Sequence, residues 1–176
     1  GQVQLLQAVS RLGAAAAGWH LQILGDGPLR GELAEQGRRL GIEQIVELPG
    51  NVRDPTPFYQ SAGIFVMSSL YEGTPNVLLE AMSFGLPCIV PDCLPGALDY
   101  VEDGLTGLVY RAGDSAHLAE CLRRLISDAN LRKRLGDAAR SRVAKDSVAT
   151  IASRWEELLF LRHRADTRDL DGKAAA

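Results

Sequence analysis

Short apolar runs alternate with longer amphipathic segments along most of this chain. The apolar runs predict five β-strands, over residues 19–24, 44–48, 63–67, 87–90 and 107–110. Helical spacing and turn signals predict helices over residues 1–17, 28–40, 55–62, 75–84 and 96–101. Strands that alternate with helices form a parallel sheet covered on both faces. We therefore predict an α/β fold with a doubly wound, Rossmann-like sheet.

The last third of the chain is predicted to be helical. Apolar residues repeat at helical spacing after the N-cap Asp114, again from Leu131, and a third time at Val148, Ile151, Trp155, Leu158 and Leu159. We expect the third helix to pack on the core of its own domain, and the alternative is that it covers a surface made for a second domain. The domain is placed at residues 1–165, and residues 166–176 are expected to be a disordered tail.

Basic residues gather on and beyond the third of these helices. They are Arg154, Arg162, His163, Arg164 and Arg168. A solvated helix face is the simpler interpretation of such a group, and contact with an anionic membrane surface is the alternative.

A helix start in the middle of the chain carries the main functional signal. Thr74 is a good N-cap, and Pro75 suits the first helical position because its φ is preset. This arrangement predicts free N–H groups on Asn76 and Val77 at the helix end, where the helix dipole favours a phosphate. Gly85 is predicted to end the helix.

Two carboxylates bracket that helix start. Glu72 lies in the loop before it, where it can accept hydrogen bonds from sugar hydroxyls. Glu80 lies on the same face as Asn76 and about 6 Å further along the axis, a suitable step from a diphosphate to the hydroxyls of a ribose. Solvated glutamates that stabilise the helix dipole show the same spacing, so spacing alone leaves both interpretations open.

The string from Glu72 to Pro87 resembles the signature of the family-4 retaining glycosyltransferases, which have the GT-B fold. The two glutamates of that signature match Glu72 and Glu80. Further segments resemble family motifs in the family's order: Leu-Gly-Asp-Gly-Pro at residues 24–28, Leu-Pro-Gly-Asn-Val-Arg-Asp at 48–54, and Glu-Asp-Gly-Leu-Thr-Gly-Leu-Val at 102–109. The similarity spans residues 1–146 and implies the C-terminal domain of such an enzyme, which binds the nucleotide sugar.

The resemblance implies a role for each segment of the site. Glu72 would be the catalytic residue that contacts the donor sugar, and Glu80 would hold the ribose. The sugar and diphosphate would be lined by Gly73, Thr74, Pro75, Asn76 and Val77. The nucleobase loop would contain Asn51, Val52 and Arg53, and the turn near the phosphates would contain Gly25 and Gly27. The donor would be a UDP- or GDP-sugar, with no metal or other cofactor.

The resemblance also implies parts that this sequence does not show. Family members carry Arg, four further residues and then Lys-Gly just after the first strand, and those two cations neutralise the leaving diphosphate. Gly1 resembles that glycine, so we expect the first strand, both cations and the N-terminal, acceptor-binding domain to be cut away. Arg53 is the nearest substitute by its loop position, although a solvated role fits it equally well. We expect the chain alone to be inactive, because a departing diphosphate needs electrostatic stabilisation.

Composition restricts the remaining function classes. The 176 residues carry a net charge of −3 and 46% hydrophobic residues, which fits one globular domain without general affinity for nucleic acid. Cys88 and Cys121 are expected to be buried thiols of a reducing compartment. No apolar run approaches the ~20 residues that span a bilayer. A cytoplasmic location is expected, with peripheral contact to the inner face of a membrane as an alternative.

The sequence thus predicts the donor-binding part of a retaining hexosyltransferase. The acceptor would be a glycan or a lipid-linked glycan, in the assembly of bacterial surface polysaccharide. Two rival functions stay open: a nucleotide-sugar epimerase of the same fold, and a non-catalytic nucleotide-binding or interaction module.

Overall fold

The computed structural model describes residues 1–146 and 149–159. Within them the strands are β1 (Leu21–Leu24), β2 (Val46–Gly50), β3 (Phe65–Val66), β4 (Cys88–Pro91) and β5 (Leu108–Tyr110). The helices are α1 (Gln2–Ser10), α2 (Arg30–Arg39), α3 (Thr56–Ser61), α4 (Asn76–Ser83), α5 (Pro95–Leu98), α6 (Ser115–Ser127) and α7 (Ala129–Ala144). Residues 149–159 are also helical. Each predicted strand and helix is present, and most ends differ by only a few residues.

The first predicted helix is shorter than expected. α1 ends at Ser10, and a 3₁₀ turn over Gly13–Ala16 follows it. Gly13 has a φ of 53°, in the left-handed region, and a residue in that conformation cannot continue a right-handed helix. The predicted apolar face is nevertheless buried, at Leu5, Val9 and Leu12.

The strands form two hydrogen-bonded groups. β1 pairs with β2, and β4 lies between β3 and β5, with all pairs parallel. The start of β1 lies beside the start of β3, because a Cβ added to Gly63 would be 2.9 Å from the Trp19 ring. Side chains of both groups pack against one buried cluster. The chain is therefore one α/β domain with a gap between β1 and β3.

Strand β4 passes through the centre of the core, and all four of its residues are buried. Ile89 packs in the cluster that includes α1 and α6, whereas Cys88 and Val90 pack in the cluster that includes α4. This alternation shows that helices cover both faces of the strand, as in a doubly wound fold.

The predicted core thiols are confirmed. Cys88 and Cys121 are both buried, and Cys93 is exposed. Burial raises the pKa of the Cys121 thiol to about 11, and it raises the pKa of the Cys88 thiol well above the ordinary value. Both side chains are therefore neutral apolar groups of the core at physiological pH.

Aspartates begin the two long C-terminal helices. The Asp114 carboxylate accepts hydrogen bonds from the N–H groups of Ala116 at 3.0 Å and His117 at 2.9 Å, which confirms the predicted N-cap. The His117 N–H is the main cause that lowers the pKa of Asp114. Asp128 begins α7 in the same way, by accepting from the Leu131 N–H at 2.9 Å.

The prediction that the third C-terminal helix packs on its own domain is wrong for the residues that the structure describes. In helix 149–159 the predicted apolar face is exposed, at Ile151, Trp155, Leu158 and Leu159. Arg154 of this segment forms an ion pair with Asp146 at 3.3 Å. Val148, the four basic residues from Arg162 to Arg168 and the predicted tail 166–176 lie outside the described residues.

Helix α7 approaches the end of α4 so closely that a methyl group does not fit between them. A Cβ added to Gly136 would overlap the carbonyl oxygen of Gly85. Gly85 has the left-handed φ of 75° expected of the residue that ends α4. Arg140 of α7 fixes the approach by donating to the Phe84 carbonyl at 2.7 Å.

We predict that Gly136→Ala lowers the free energy of unfolding by about 2 kcal/mol or more, because the overlap forces α7 away from α4. The measurement is urea unfolding monitored by circular dichroism. Gly37→Ala in α2 is the matched control, since no atom lies within 4 Å of its added Cβ. Its free energy of unfolding should stay the same or rise by up to about 1 kcal/mol, because alanine favours a helix more than glycine does. Equal losses in the two variants would contradict this account of the α4–α7 contact.

Candidate functional site

The predicted site segments lie after the carboxyl ends of three strands. Residues 25–27 follow β1, residues 51–53 follow β2, and residues 68–75 lie between β3 and α4. Parallel strands have their carboxyl ends at one edge of the fold, which is where α/β domains bind ligands. The structure therefore places all three segments along a common edge.

The turn after β1 and the loop after β2 are joined directly. The Gly25 N–H donates to the Gly50 carbonyl at 2.8 Å. Gly25 and Gly50 have φ values of 107° and 80°, a region that favours glycine. Arg30 adds a second connection, since its Nη2 donates to the Leu48 carbonyl at 2.6 Å while its Nη1 lies 3.8 Å from Asp26 Oδ1. The phosphate-proximal turn and the nucleobase loop of the prediction are thus neighbours.

The loop after β2 leads straight into α3. Asn51 and Arg53 are exposed, and Val52 is half-buried. Asp54 accepts a hydrogen bond from the Thr56 N–H at 3.0 Å, and this bond lowers the pKa of the Asp54 carboxyl. Arg53 forms no ion pair within the described residues, so its guanidinium is accessible to a ligand.

The start of α4 differs from the predicted N-cap. The helix begins at Asn76, Pro75 holds the N-cap position, and no side chain caps the helix. The Asn76 N–H donates to the Thr74 carbonyl at 2.9 Å and so closes a tight turn around Pro75, whose φ of −80° and ψ of 66° are those of an inverse γ-turn. The predictions that Thr74 caps the helix and that the Asn76 N–H is free are therefore wrong.

Other N–H groups of this loop remain accessible. Those of Gly73, Thr74 and Val77 donate to no atom within residues 1–146 and 149–159, and the three residues are exposed. Pro75 is buried, and a Cβ added to Gly96 at the start of α5 would lie 3.4 Å from its Cδ atom. The helix start thus presents N–H donors on a turn that α5 supports, but Asn76 is not one of them.

Glu72 is accessible in the same loop. It is exposed, and the described part of the chain offers it neither a hydrogen bond nor an ion pair. Its neighbours Leu70 and Tyr71 are also exposed, Tyr71 by 89%. A loop with an unpaired carboxylate beside exposed apolar groups can contact a ligand such as a sugar without first losing internal bonds.

Glu80 lies on the exposed side of α4 and is bonded to a tyrosine of α3. The Tyr59 hydroxyl donates to Glu80 Oε2 at 2.9 Å, and the Tyr59 ring stacks on Phe84 at a centroid distance of 5.3 Å. Burial, and then the hydrogen bond to Glu80, raise the pKa of Tyr59 well above its ordinary value. The hydroxyl is therefore protonated at neutral pH and acts as the donor.

Sequence reasoning gave no role of their own to three residues that organise this edge. Gly50 follows Pro49, and such a Pro-Gly pair marks a turn, so its signal was present. Arg30 and Tyr59 showed no comparable signal, because their partners Leu48 and Glu80 are distant in the sequence.

The described residues show neither a metal-ligand cluster nor a membrane-spanning helix. Within residues 1–146 and 149–159, no three His, Cys, Asp or Glu side chains come together as metal ligands. In the same part of the chain, no helix combines the length and hydropathy required to cross a membrane.

Comparison with known proteins identifies similar sequences. The model of the family described as "Glycosyl transferases group 1" matches residues 1–128. The amylovoran biosynthesis glycosyltransferase AmsD of Erwinia amylovora is 32% identical over 142 residues, which are 81% of this chain and 40% of that protein. The lipopolysaccharide 1,6-galactosyltransferase of Salmonella typhimurium is 35% identical over 131 residues, 72% of this chain and 36% of that protein. The chain thus spans about two fifths of the length of such relatives.

Solved structures show the same fold. The lipopolysaccharide outer core galactosyltransferase WaaB, in its apo form, superimposes with a TM-score of 0.78 at 29% identity, over 90% of this chain and 44% of WaaB. HepE of Anabaena, in complex with UDP and glucose, gives a TM-score of 0.80 at 25% identity over the same shares. The predicted fold, the C-terminal half of a GT-B glycosyltransferase, is confirmed.

We predict that Gly50→Ala lowers the free energy of unfolding by about 1–2 kcal/mol, since alanine is strained at a left-handed φ and its Cβ would lie 2.8 Å from Arg30 Nη1. The measurement is thermal unfolding. Gly27→Ala is the matched control, because its added Cβ meets nothing within 4 Å and its φ is not left-handed. A Gly50→Ala protein as stable as the original chain would show that this junction is not constrained.

Proposed function

This chain belongs to the family of glycosyl transferases group 1, and on that premise we propose that it binds the nucleotide sugar in a retaining glycosyltransferase. The observation that carries the proposal is the direct contact between Gly25 and Gly50 at the carboxyl edge. It joins two of the three loops of that edge, and the third contributes N–H donors and Glu72. Anionic phosphates suit N–H donors, and sugar hydroxyls suit carboxylate acceptors.

The proposed assignment follows the chemistry of each segment. The N–H groups of Gly73, Thr74 and Val77 bind the diphosphate, beside the turn that contains Gly25 and Gly27. Glu80 accepts from the ribose hydroxyls, and Glu72 accepts from the donor sugar. The base lies against the loop of Asn51, Val52 and Arg53. Pro75 fixes the turn, and the Asn76 N–H is excluded as a phosphate ligand while it donates to Thr74.

Similar proteins support a nucleotide diphosphate as the ligand. The structure of HepE that is 26% identical to this chain is a complex with UDP, and another is a complex with UDP-glucose. We propose a UDP- or GDP-sugar as the donor for this chain, with a hexose as the transferred sugar.

Retention of configuration at the anomeric carbon determines the proposed role of Glu72. The acceptor hydroxyl attacks the face from which the diphosphate departs, and the departing phosphate takes the acceptor proton. Glu72 then orients the donor sugar and is not a general base. The two arginines at this edge have other partners: Arg30 is bonded to Leu48 and Asp26, and Arg53 is assigned to the base, so neither is assigned to the diphosphate. The charge that develops on the diphosphate requires such cations, so we propose that this chain alone does not turn over and that another part of the parent protein supplies them.

The acceptor is proposed to be a glycan or a lipid-linked glycan, bound largely by a second domain. Names of relatives support this class, among them the Salmonella lipopolysaccharide 1,6-galactosyltransferase. The exposed face of helix 149–159 is proposed to cover part of that second domain. A cytoplasmic location at the inner face of a membrane, through the basic residues around Arg154, stays a prediction.

We also propose that the gap between β1 and β3 accepts one further parallel strand. The strands that flank it are only half-buried at Leu21, Ile23 and Val66. Helix α1 starts at the carboxyl end of β3, because a Cβ added to Gly1 would overlap the Ser68 carbonyl. A strand in the gap, followed by α1 and then β1, would form a parallel β-α-β unit, the connection that parallel sheets use.

Residues of the parent protein that lead into Gly1 should therefore stabilise the domain. A version that includes about ten of them should show a higher urea midpoint, because both unpaired strand edges gain hydrogen bonds. A scrambled extension of equal length and composition is the control. Equal midpoints for the native and scrambled extensions would contradict the proposed strand.

The two glutamates should affect different parts of the ligand. By titration calorimetry we expect Glu80→Ala to weaken UDP binding about tenfold, because a hydrogen-bonded charge is lost. Glu72→Ala should leave UDP affinity unchanged and remove any added affinity for UDP-glucose. GDP and GDP-mannose replace these probes if they are the ligands that bind the unaltered chain.

In the intact parent protein, Glu72→Ala should strongly lower turnover. Full UDP affinity in Glu80→Ala, or normal turnover in Glu72→Ala, would contradict the assignment.

Analysis of the reaction products separates the two rival functions. An epimerase converts the nucleotide sugar into its epimer when no acceptor is present. A non-catalytic module binds the nucleotide but turns over no substrate, even within the intact parent protein.

A further inference from the structure

A single hydrogen bond links helix α3 to the carboxylate assigned to the ribose. Tyr59 lies on α3 and donates through its hydroxyl to Glu80 Oε2 at 2.9 Å. No other described side chain donates to the Glu80 carboxylate, and Oε1 accepts from none of the described residues. One carboxylate oxygen is thus held by the protein, and the other remains for a ligand.

The Tyr59 ring is held in place on two sides. It stacks on Phe84 at a centroid distance of 5.3 Å and an interplanar angle of 19°, and it contacts Phe65 at 6.4 Å with a tilt of 50°. These rings border the buried cluster beneath α4. The hydroxyl position is therefore set by core packing, and a hydroxyl so placed restricts the rotamers of an otherwise exposed glutamate.

Tyr59 also connects two parts of the site through its own helix. α3 begins at Thr56, directly after the loop of Asn51, Val52 and Arg53. The Tyr59 N–H donates to the Pro55 carbonyl at 3.2 Å, so the residue lies within the first turn of that helix. The loop assigned to the base therefore leads directly into the helix whose tyrosine holds Glu80.

We propose that Tyr59 is a positioning residue, which orients Glu80 so that Oε1 meets the ribose hydroxyls of a bound nucleotide. The inference rests on the proposed function, because it adds to the ribose role of Glu80. A hydrogen bond to a carboxylate reduces the rotamer freedom that Glu80 would otherwise lose on binding. Tyr59 itself touches no ligand.

Tyr59→Phe tests the proposal because it removes one oxygen atom and keeps the ring stacking. By titration calorimetry we expect UDP to bind the variant about fivefold to tenfold more weakly, while circular dichroism shows that the variant remains folded. Tyr100→Phe is the matched control. The Tyr100 ring packs against the Arg142 guanidinium at 4.8 Å, its hydroxyl bonds to no described residue, and it lies outside the proposed site. UDP should bind the control as it binds the unaltered chain.

Two further measurements separate positioning from a general structural role. In a Glu80→Ala background, Tyr59→Phe should cause no additional loss of UDP affinity, because the carboxylate that it orients is gone. For 2′,3′-dideoxyuridine diphosphate, which lacks both ribose hydroxyls, Tyr59→Phe should have no effect in the original background. GDP and its dideoxy analogue are used if GDP is the nucleotide that the unaltered chain binds.

The possible results distinguish a failure of the positioning role of Tyr59 from a failure of the proposed function. If Glu80→Ala weakens UDP binding and Tyr59→Phe does not, the positioning role is overturned and the ribose assignment stands. If Tyr59→Phe weakens binding equally in both backgrounds, or equally for the dideoxy analogue, Tyr59 acts without Glu80 and the inference is also overturned. If Glu80→Ala binds UDP normally, or if neither UDP nor GDP binds the unaltered chain, the proposed function fails first and the inference with it.

Discussion

The hydrogen bond from the Gly25 N–H to the Gly50 carbonyl is the contact on which the candidate site depends. It forms an isolated bridge just past the last parallel pair of β1 and β2, and so joins the two following loops. Both residues have left-handed φ values, and a Cβ added to Gly50 would lie 2.8 Å from Arg30 Nη1. The geometry of this edge is therefore set by backbone constraints that only glycine satisfies without strain.

The rest of the edge is built outward from that junction. The loop after Gly50 begins α3, and Tyr59 of α3 bonds to Glu80 of α4. Pro75 at the start of α4 contacts the region of Gly96. Each connection is one hydrogen bond or one packing contact, so the site loops are supported by neighbouring elements although their tips are exposed. The gap between β1 and β3 is the weakest part of this arrangement, because two strand edges there have no partner.

Much of the fold could be predicted because its signals are local. Apolar runs and helix-ending residues such as Gly85 specify where elements begin and end, and the Asp114 cap was readable from its own helix. The start of α4 was misjudged because Thr74 and Pro75 suit both an N-cap and an inverse γ-turn, and the sequence does not distinguish the two. The exposure of Trp155 was not readable either, since an apolar helical face looks the same whether or not its partner is present.

The common edge of the candidate segments was predictable, and the bonds that join these segments were not. Gly25, Asn51 and Glu72 each follow a strand, and residues at the carboxyl ends of the strands share one edge in a fold of alternating strands and helices. The bonds of Arg30 and Tyr59 depend on tertiary placement, which sequence spacing does not contain. The resemblance supplied roles for these segments, and the structure adds the side chains that hold the segments in place.

The most direct measurement of the central claim is nuclear magnetic resonance of the ¹⁵N-labelled chain during titration with UDP, and with GDP in parallel. A shared nucleotide site predicts changes in the amide chemical shifts of Gly25, Gly73, Thr74 and Val77, and of residues 51–53. The amide of Gly136, where α7 packs against the end of α4, should not shift. Changes confined to other surfaces, or none with either nucleotide, would contradict a shared nucleotide site at the carboxyl edge.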